Sequence, residues 1–252
     1  MYLKKYCCDK NTHYSSKMEN CESTLHTIAG HISSNNSIDH IFTLETNPSM
    51  VVTHEKVVNV LITDHKPVFC IINDIPILSW NLEGLCRTSE ETEVRLVAIQ
   101  HVLSQIHKKY PSIIFMFQEL FLKHVQMNYT MGINRLHTLF HNVDYNYIYD
   151  GYTGGIIIPT HLYYKNIQVI ARKESKKKCT LIYVRAPNPF YLINIHLQAV
   201  LFKPLRDSTH ITELSNILAH IKHKIKKGVA LIGDYNNTNI VHVYKESIQT
   251  IL

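Results

Sequence analysis

The stretch PVFCIINDIPILSW, residues 67–80, constrains the fold of this chain more than any other. It reads as two apolar strands joined at Asn73 and Asp74, residue types suited to a tight turn. A hairpin brings its outer ends together. The polar run TDH, ending at His65, and the run SWN, ending at Asn81, are therefore predicted to lie on neighbouring strands.

The rest of the chain supplies the partners for such a hairpin. IDHIFTL and KVVNVLI, residues 38–44 and 56–62, have the β-branched and apolar composition of strands. From Glu90 to Lys109 apolar residues recur at helical spacing, with acidic residues ahead of basic ones as the helix dipole prefers. Pro111 marks the exit, and SIIFMFQEL is the next strand. The pattern returns in TGGIIIPTHLYY, TLIYVRA, FYLINIHLQAV, the helical DSTHITELSNILAHIKHKIKK and the strand GVALIGDYN. This succession predicts a layered α/β fold. Residues 1–37 are polar, rich in Ser, Asn and Thr, and read as loop with room for one short helix in STLHTIAGHI. No internal repeat divides the chain, and residues 1–252 read as a single domain. A chain of this size buries about 70 to 75% of its unfolded surface.

Charged residues make up 18% and hydrophobic ones 45%, a balance that disfavours pervasive disorder. The formal charge of +6 suits a polyanionic partner. It is concentrated in two runs, ARKESKKK and HIKHKIKKG; either alone reads first as a solvated face. No apolar leader opens the sequence, and no stretch approaches the roughly 20 apolar residues that span a bilayer. The six cysteines form no regular framework, so the expectation is a reduced, intracellular protein of the nucleus or cytoplasm. Cys7, Cys8, His13 and Cys21 can be drawn as a zinc site, but their spacing matches no strong pattern and a terminal loop explains them better.

One event recurs along these strands. An apolar run ends in polar groups with no reason to sit in a core: Asn81 after ILSW, Glu119 after IIFMFQ, His196 after YLINI, Asp234 and Asn236 after VALIG, and Asp64 with His65 after VLIT. Each has a plain alternative. Asn81 suits a turn, His196 a satisfied core position, the GDYN run an Asp turn, and the DH pair a cap. Glu119 is harder to set aside, because a carboxylate beside IIFMF is costly unless it is paired or metal-bound. In α/β folds ligands bind beyond one end of the strands, where residues distant in sequence converge. The chemistry this set supports is phosphoester hydrolysis. A hard divalent ion such as Mg2+ takes oxygen ligands, with Glu119 as the leading donor. Imidazoles and amides offset charge on the phosphoryl oxygens, and Asp234 can accept the proton of an attacking water.

Taken together, SWNLEG, FQEL, TGGIII, INIHLQ, GDYN and TDHKPV, with IDHIF ahead of them, resemble the endonuclease/exonuclease/phosphatase superfamily, which includes deoxyribonuclease I. These motifs span nearly the whole chain beyond residue 37. The resemblance implies a four-layer α/β sandwich of two mostly antiparallel sheets flanked by helices, in place of the parallel sheet that strand and helix alternation suggests. It implies a metal-dependent nuclease or phosphodiesterase using Mg2+, or Mn2+ in its place. Carried over by motif, Glu119 and Asn81 form the metal side, with Asp64 assisting. His65 and His196 contact the phosphate, and Asp234, aided by Asn236, positions the attacking water. Within the superfamily, SWNLEGL, the long helix and IIFMFQEL are similar to 5-prime tyrosyl-DNA phosphodiesterases, while GDYNN departs from the GDTN-like form of that branch. The order departs too: IDHIF and TDHKPV close the family chain but here precede SWNLEG. A circular permutation accounts for this, with IINDIP joining the family's ends and the new ends falling between GDYNN and IDHIF.

The expected partner is nucleic acid. The alternatives are an inositol phosphate, a lipid head group or another small phosphoester as substrate, and an inactive module that grips polyanions.

Overall fold

The computed structural model describes residues 2–5, 39–45, 50–57, 62–63, 65–83, 89–120, 134, 136–140, 144–150, 154–172, 177–200, 202–237, 243 and 246–247. Two six-stranded mixed sheets organise them. The first contains β1 (Tyr2–Lys5), β2 (Asp39–Glu45), β9 (Tyr164–Arg172), β10 (Lys177–Val184), β11 (Phe190–His196) and β12 (Val229–Asp234), in the order β1-β2-β12-β11-β10-β9. The second contains β3 (Val52–Val57), β4 (Val68–Ile72), β5 (Ile75–Asn81), β6 (Ile114–Gln118), β7 (Tyr145–Tyr149) and β8 (Gly155–Pro159), in the order β3-β4-β5-β6-β8-β7. Only β5–β6 and β11–β12 pair in parallel among these strands. Parallel neighbours need a crossover, and each pair has one: α1 (Ser89–Lys109) and α2 (Lys203–Ile221).

Three apolar clusters define the layers. Leu214, Ile217, Leu218 and Ile221 of α2 pack on Phe42, Leu181, Ile193 and Leu231 of the first sheet. Leu96, Ile99 and Leu103 of α1 pack on Leu78, Trp80, Phe115 and Phe117 of the second. Between the sheets, Ile41, Ile182, Leu192 and Ile232 meet Val68, Ile77, Ile114 and Ile156. The strand side chains alternate between the faces, so each strand contributes to the central core and to one helix-side core. Each buried aliphatic or aromatic side chain contributes about 1.5–3 kcal/mol relative to exposure. The result is the four-layer α/β sandwich that the motifs imply.

The β4–β5 hairpin turns through Asn73 (φ 47°) and Asp74 (φ 66°), a two-residue loop with both φ values positive, the geometry that matches strand twist. Asn73 also accepts from Val51 N and donates to Asn188 O, both at 2.9 Å, tying the hairpin to β3 and to the β10–β11 connection.

Some elements differ from the sequence expectation. The segment expected to be loop opens with β1, a four-residue edge strand on β2. It is too short to show a period. Of the strand expected over residues 56–62, Lys56 and Val57 belong to β3, which begins at Val52 and has an irregular register between Thr53 and Lys56, and residues 58–61 lie outside the described residues. The basic run ARKESKKK belongs partly to a strand pair, since Arg172 of β9 faces Lys177 of β10. The second helix starts at Lys203 rather than Asp207, because Pro204 suits a first helical turn. Its basic end tightens into a 3-10 helix, Lys222–Lys227, before Gly228 (φ 77°). Among the described residues no helix is long and apolar enough to cross a membrane.

The early strands complete both sheets. β2 lies against β12 with Asp39 opposite Asp234, so the start of β2 is beside the end of β12. The chain passes from β4 to β5 through the Asn73–Asp74 turn.

Candidate metal centre between the sheets

The inward faces of five strands change character at the same height. In β5 the positions after Ile75 and Ile77 are Ser79 and Asn81; in β6, after Ile114 and Met116, Gln118 follows. In β11, Phe190 and Leu192 give way to Asn194 and His196; in β12, Ala230 and Ile232 give way to Asp234; and β2 starts on Asp39 two residues before Ile41. Strand pairing holds these groups in rows. His196 faces Asp234, Asp234 faces Asp39, and Asn81 faces Gln118. A polar floor therefore closes one end of the central core.

Asp234 is at the middle of this floor and fully buried. Its Oδ1 accepts from Asn236 N at 2.7 Å, and its Oδ2 accepts from Asn81 Nδ2 at 2.8 Å and Asn236 Nδ2 at 3.1 Å. The Asn81 contact joins the two sheets. Asn81 Oδ1 in turn accepts from Glu83 N at 2.9 Å, and Arg95 of α1 reaches Glu83 Oε2 at 3.2 Å and Leu82 O at 3.3 Å, so α1 anchors the segment after β5.

On one side of Asp234, His65 Nδ1 lies 2.9 Å from Asp39 Oδ2, with both side chains buried. On the other side, His196 Nε2 lies 3.2 Å from Glu119 Oε1. Glu119 is the more open carboxylate, its side chain 25% exposed. Two donor groups result, Asp39 with His65 and Asp234, and Glu119 with His196 and Asp234, the donor atoms in each lying within 4.8 Å of one another. Carboxylates at this spacing, one reachable by solvent, suit a hard divalent ion that takes several oxygen ligands and retains water. Glu119 and Asp234 are the oxygen donors of one group, and Asp234 and Asp39 those of the other.

The backbone is held in unusual conformations here. Glu119 (φ 50°), Asn236 (φ 49°) and Glu83 (φ 51°) are non-glycine residues in the left-handed region, which costs of order 1–3 kcal/mol each and concentrates at functional sites. Gly233 (φ 144°) precedes Asp234, and a Cβ there would collide with Ile195 O.

A further ring of polar contacts supports the floor. Gln118 Nε2 donates to Ser79 Oγ at 3.0 Å and Asn194 Oδ1 at 2.6 Å, and Asn194 Nδ2 donates to Phe117 O at 2.9 Å. Trp80 Nε1 donates to Thr63 Oγ1 and to His65 O, both at 3.0 Å, which fixes the segment carrying His65. Behind Asn236, buried Asn237 donates from Nδ2 to Asp207 Oδ1 at 2.9 Å and to His210 Nδ1 at 3.0 Å. His210 Nε2 therefore carries the ring proton and donates to Gln198 O at 2.7 Å. Helix α2 thus clamps the loops that follow β11 and β12.

Of the residues singled out in the sequence, His65, Asn81, Glu119, His196, Asp234 and Asn236 are all at this end of the sandwich. Asp64 lies outside the described residues, as does the Cys7, Cys8, His13 and Cys21 set. The carboxylate beside His65 is Asp39, which is not among the residues singled out in the sequence. Its signal was present in IDHIF, an acidic residue opening an apolar strand. Gln118, Asn194, His210 and Asn237 are not among the residues singled out either. They act by filling hydrogen bonds between distant segments, which no local pattern shows.

No protein-family model matches the sequence, and no curated protein matches it. Solved structures give partial likenesses. TDP2 of D. rerio, humanized by 14 mutations, is 17% identical with a TM-score of 0.47 over 66% of this chain and 65% of that one. TDP2 from C. elegans is 15% identical with a TM-score of 0.47, over 64% of this chain and 47% of that one. An endonuclease/exonuclease/phosphatase family protein from Bacteroides thetaiotaomicron is 12% identical with a TM-score of 0.48, over 69% of this chain and 68% of that one. This chain spans less than two thirds of the length of either TDP2.

Proposed function

We propose that this chain is a divalent-metal-dependent phosphodiesterase that hydrolyses nucleic-acid phosphodiester bonds. The observation that carries the reading is the sharing of Asp234 between two donor groups at one mouth of the sandwich. A bound Mg2+, or Mn2+, supplies Lewis-acid polarisation of the phosphoryl oxygen. Glu119 holds the ion, with Asn81 beside it. Asp39 orients the His65 imidazole, which with His196 offsets charge on the nonbridging oxygens as it develops. Asp234, fixed by three donors, orients the attacking water and takes its proton, while Asn236 holds the phosphate or the nucleophile without adding negative charge. Asp64 assists as a neighbour of His65 in sequence.

The basic segments favour a polyanionic substrate, and a 5-prime end carrying a tyrosyl adduct is the specific form that SWNLEG and IIFMFQEL suggest. The setting proposed for this chain is intracellular, in nucleus or cytoplasm. The test is a substrate panel of DNA, RNA, a 5-prime phosphotyrosyl oligonucleotide and an inositol phosphate, with and without chelator. Metal-dependent release from an oligonucleotide supports the reading. Turnover of the inositol phosphate alone moves the assignment to a small-molecule phosphatase, and tight binding with no turnover in any divalent ion moves it to a binding module.

A further inference from the structure

The chain's charge is sharply segregated. From Gly154 to Arg206 the sequence holds nine Lys or Arg and a single acid, Glu174. From Leu214 to Gly233 it holds Lys222, Lys224, Lys226 and Lys227 and no acid. These segments form β8 to β11, the second half of α2, the 3-10 helix and most of β12.

At the end of the first sheet away from the candidate centre, Lys165, Tyr183 and Tyr191 are successive register partners across β9, β10 and β11. They share the helix-side face with Ile167, Leu181 and Ile193. The two tyrosine rings, both half-buried with Tyr191 packed in part against the helix-side core, lie 4.8 Å apart. Lys227 Nζ sits 4.9 Å from the Tyr183 ring centre and 3.3 Å from its hydroxyl. At the border, the Arg185 guanidinium lies 5.4 Å from the ring of exposed Tyr163. Lys165, Arg185, Lys222 and Lys227 are all exposed.

We propose that this face is a second, non-catalytic binding surface for single-stranded nucleic acid. Aromatic rings interleaved with cations are what a flexible single strand requires, since bases stack on the rings and phosphates meet the cations. A folded duplex offers no exposed base face to Tyr183, and an acidic peptide has no use for the paired rings. Tyr191 and His196 are five residues apart on β11, about 17 Å at the rise of a strand, so the surface and the centre are separate but can be reached by one polymer. The surface goes beyond the hydrolytic reading and stands without it.

Fluorescence anisotropy of a labelled oligothymidylate of about 16 nucleotides, in chelator so that nothing is hydrolysed, tests this. The Lys165→Ala/Lys227→Ala double variant is expected to bind about ten-fold more weakly and to lower the slope of log affinity against log salt by about 1.4. Tyr183→Ala is expected to bind about ten-fold more weakly, while Tyr183→Phe, which keeps the ring, stays within about two-fold of the parent chain. An unchanged affinity and salt slope in the double lysine variant overturns the proposal. So does binding to phosphatidylserine vesicles or polyglutamate without binding to the oligonucleotide. Hydrolysis of bis(p-nitrophenyl) phosphate, too small to touch both places, reads the metal centre alone. Its loss in the parent chain strikes the proposed activity, whereas loss of oligonucleotide binding in chelator strikes only this surface.

Discussion

Asp234 binds the two sheets together and belongs to both donor groups, so changes around it separate geometry from chemistry. Asp39→Asn keeps the size of the side chain that holds His65 but removes the charge and the acceptor pair. Turnover is expected to fall about 10- to 100-fold with the fold intact, as for other partners that orient an imidazole. Steady-state kinetics with circular dichroism checks this, and an unchanged kcat would remove Asp39 from the site. Gly233→Ala has a different basis. Its Cβ meets backbone rather than a movable side chain, so stability is expected to fall by about 2–4 kcal/mol in denaturant unfolding. At this scale the polar residues that end apolar strands were legible in the sequence, because a carboxylate after IIFMF is costly to bury without a cation or a donor beside it. Asp39 was less legible, since a strand that starts on an acid looks like a turn until β2 is seen beside β12.

The hairpin shows how local chemistry fixes an element. Asp74 is in the left-handed region, which Asp tolerates and a β-branched residue does not. Asp74→Val is expected to lower stability by about 1–2 kcal/mol, read as a lower midpoint in urea at constant slope. Strand β7 offers a pH test. Burial, and after it the charge of Asp150, pushes the Tyr149 phenol up to about 12, and burial also raises Tyr145 and Tyr147. In the unfolded chain tyrosine ionises near pH 10, so the folded state keeps its protons to higher pH. Stability from this source is complete below about pH 10 and is lost as pH rises towards about 12. Thermal unfolding from about pH 9 to about 11.5 should show a falling midpoint, with a shallower fall for Tyr149→Phe. Helix positions were readable from their period, and the Asn73–Asp74 turn from its residue types. Strands β1 and β7, of four and five residues, carry too few alternations to define a face, and β3 has an irregular register, whereas in β9 the polar residues Lys165, Asn166 and Gln168 interrupt the apolar positions.

For the whole molecule, order along the chain matters less than which strand ends meet. The early IDHIF segment reaches the far-downstream GDYN segment because β2 pairs with β12, and TDHKPV reaches it because β4 pairs with β5, whose Asn81 bonds Asp234 across the sheets. The motif set made the sandwich legible, whereas strand and helix alternation alone pointed to a parallel sheet. What the sequence could not display is the register that places His196, Asp234 and Asp39 in one row. The central claim, that this row serves a metal-dependent phosphodiesterase, is tested by incubating a single-stranded oligonucleotide with the purified chain under chelator, under Mg2+, and under Mg2+ with Glu119→Gln. The account predicts cleavage in Mg2+ alone, abolished by chelator and reduced about 100-fold or more in the variant, whose unfolding midpoint is unchanged. Equal cleavage by the variant, or cleavage that persists in chelator, would contradict it.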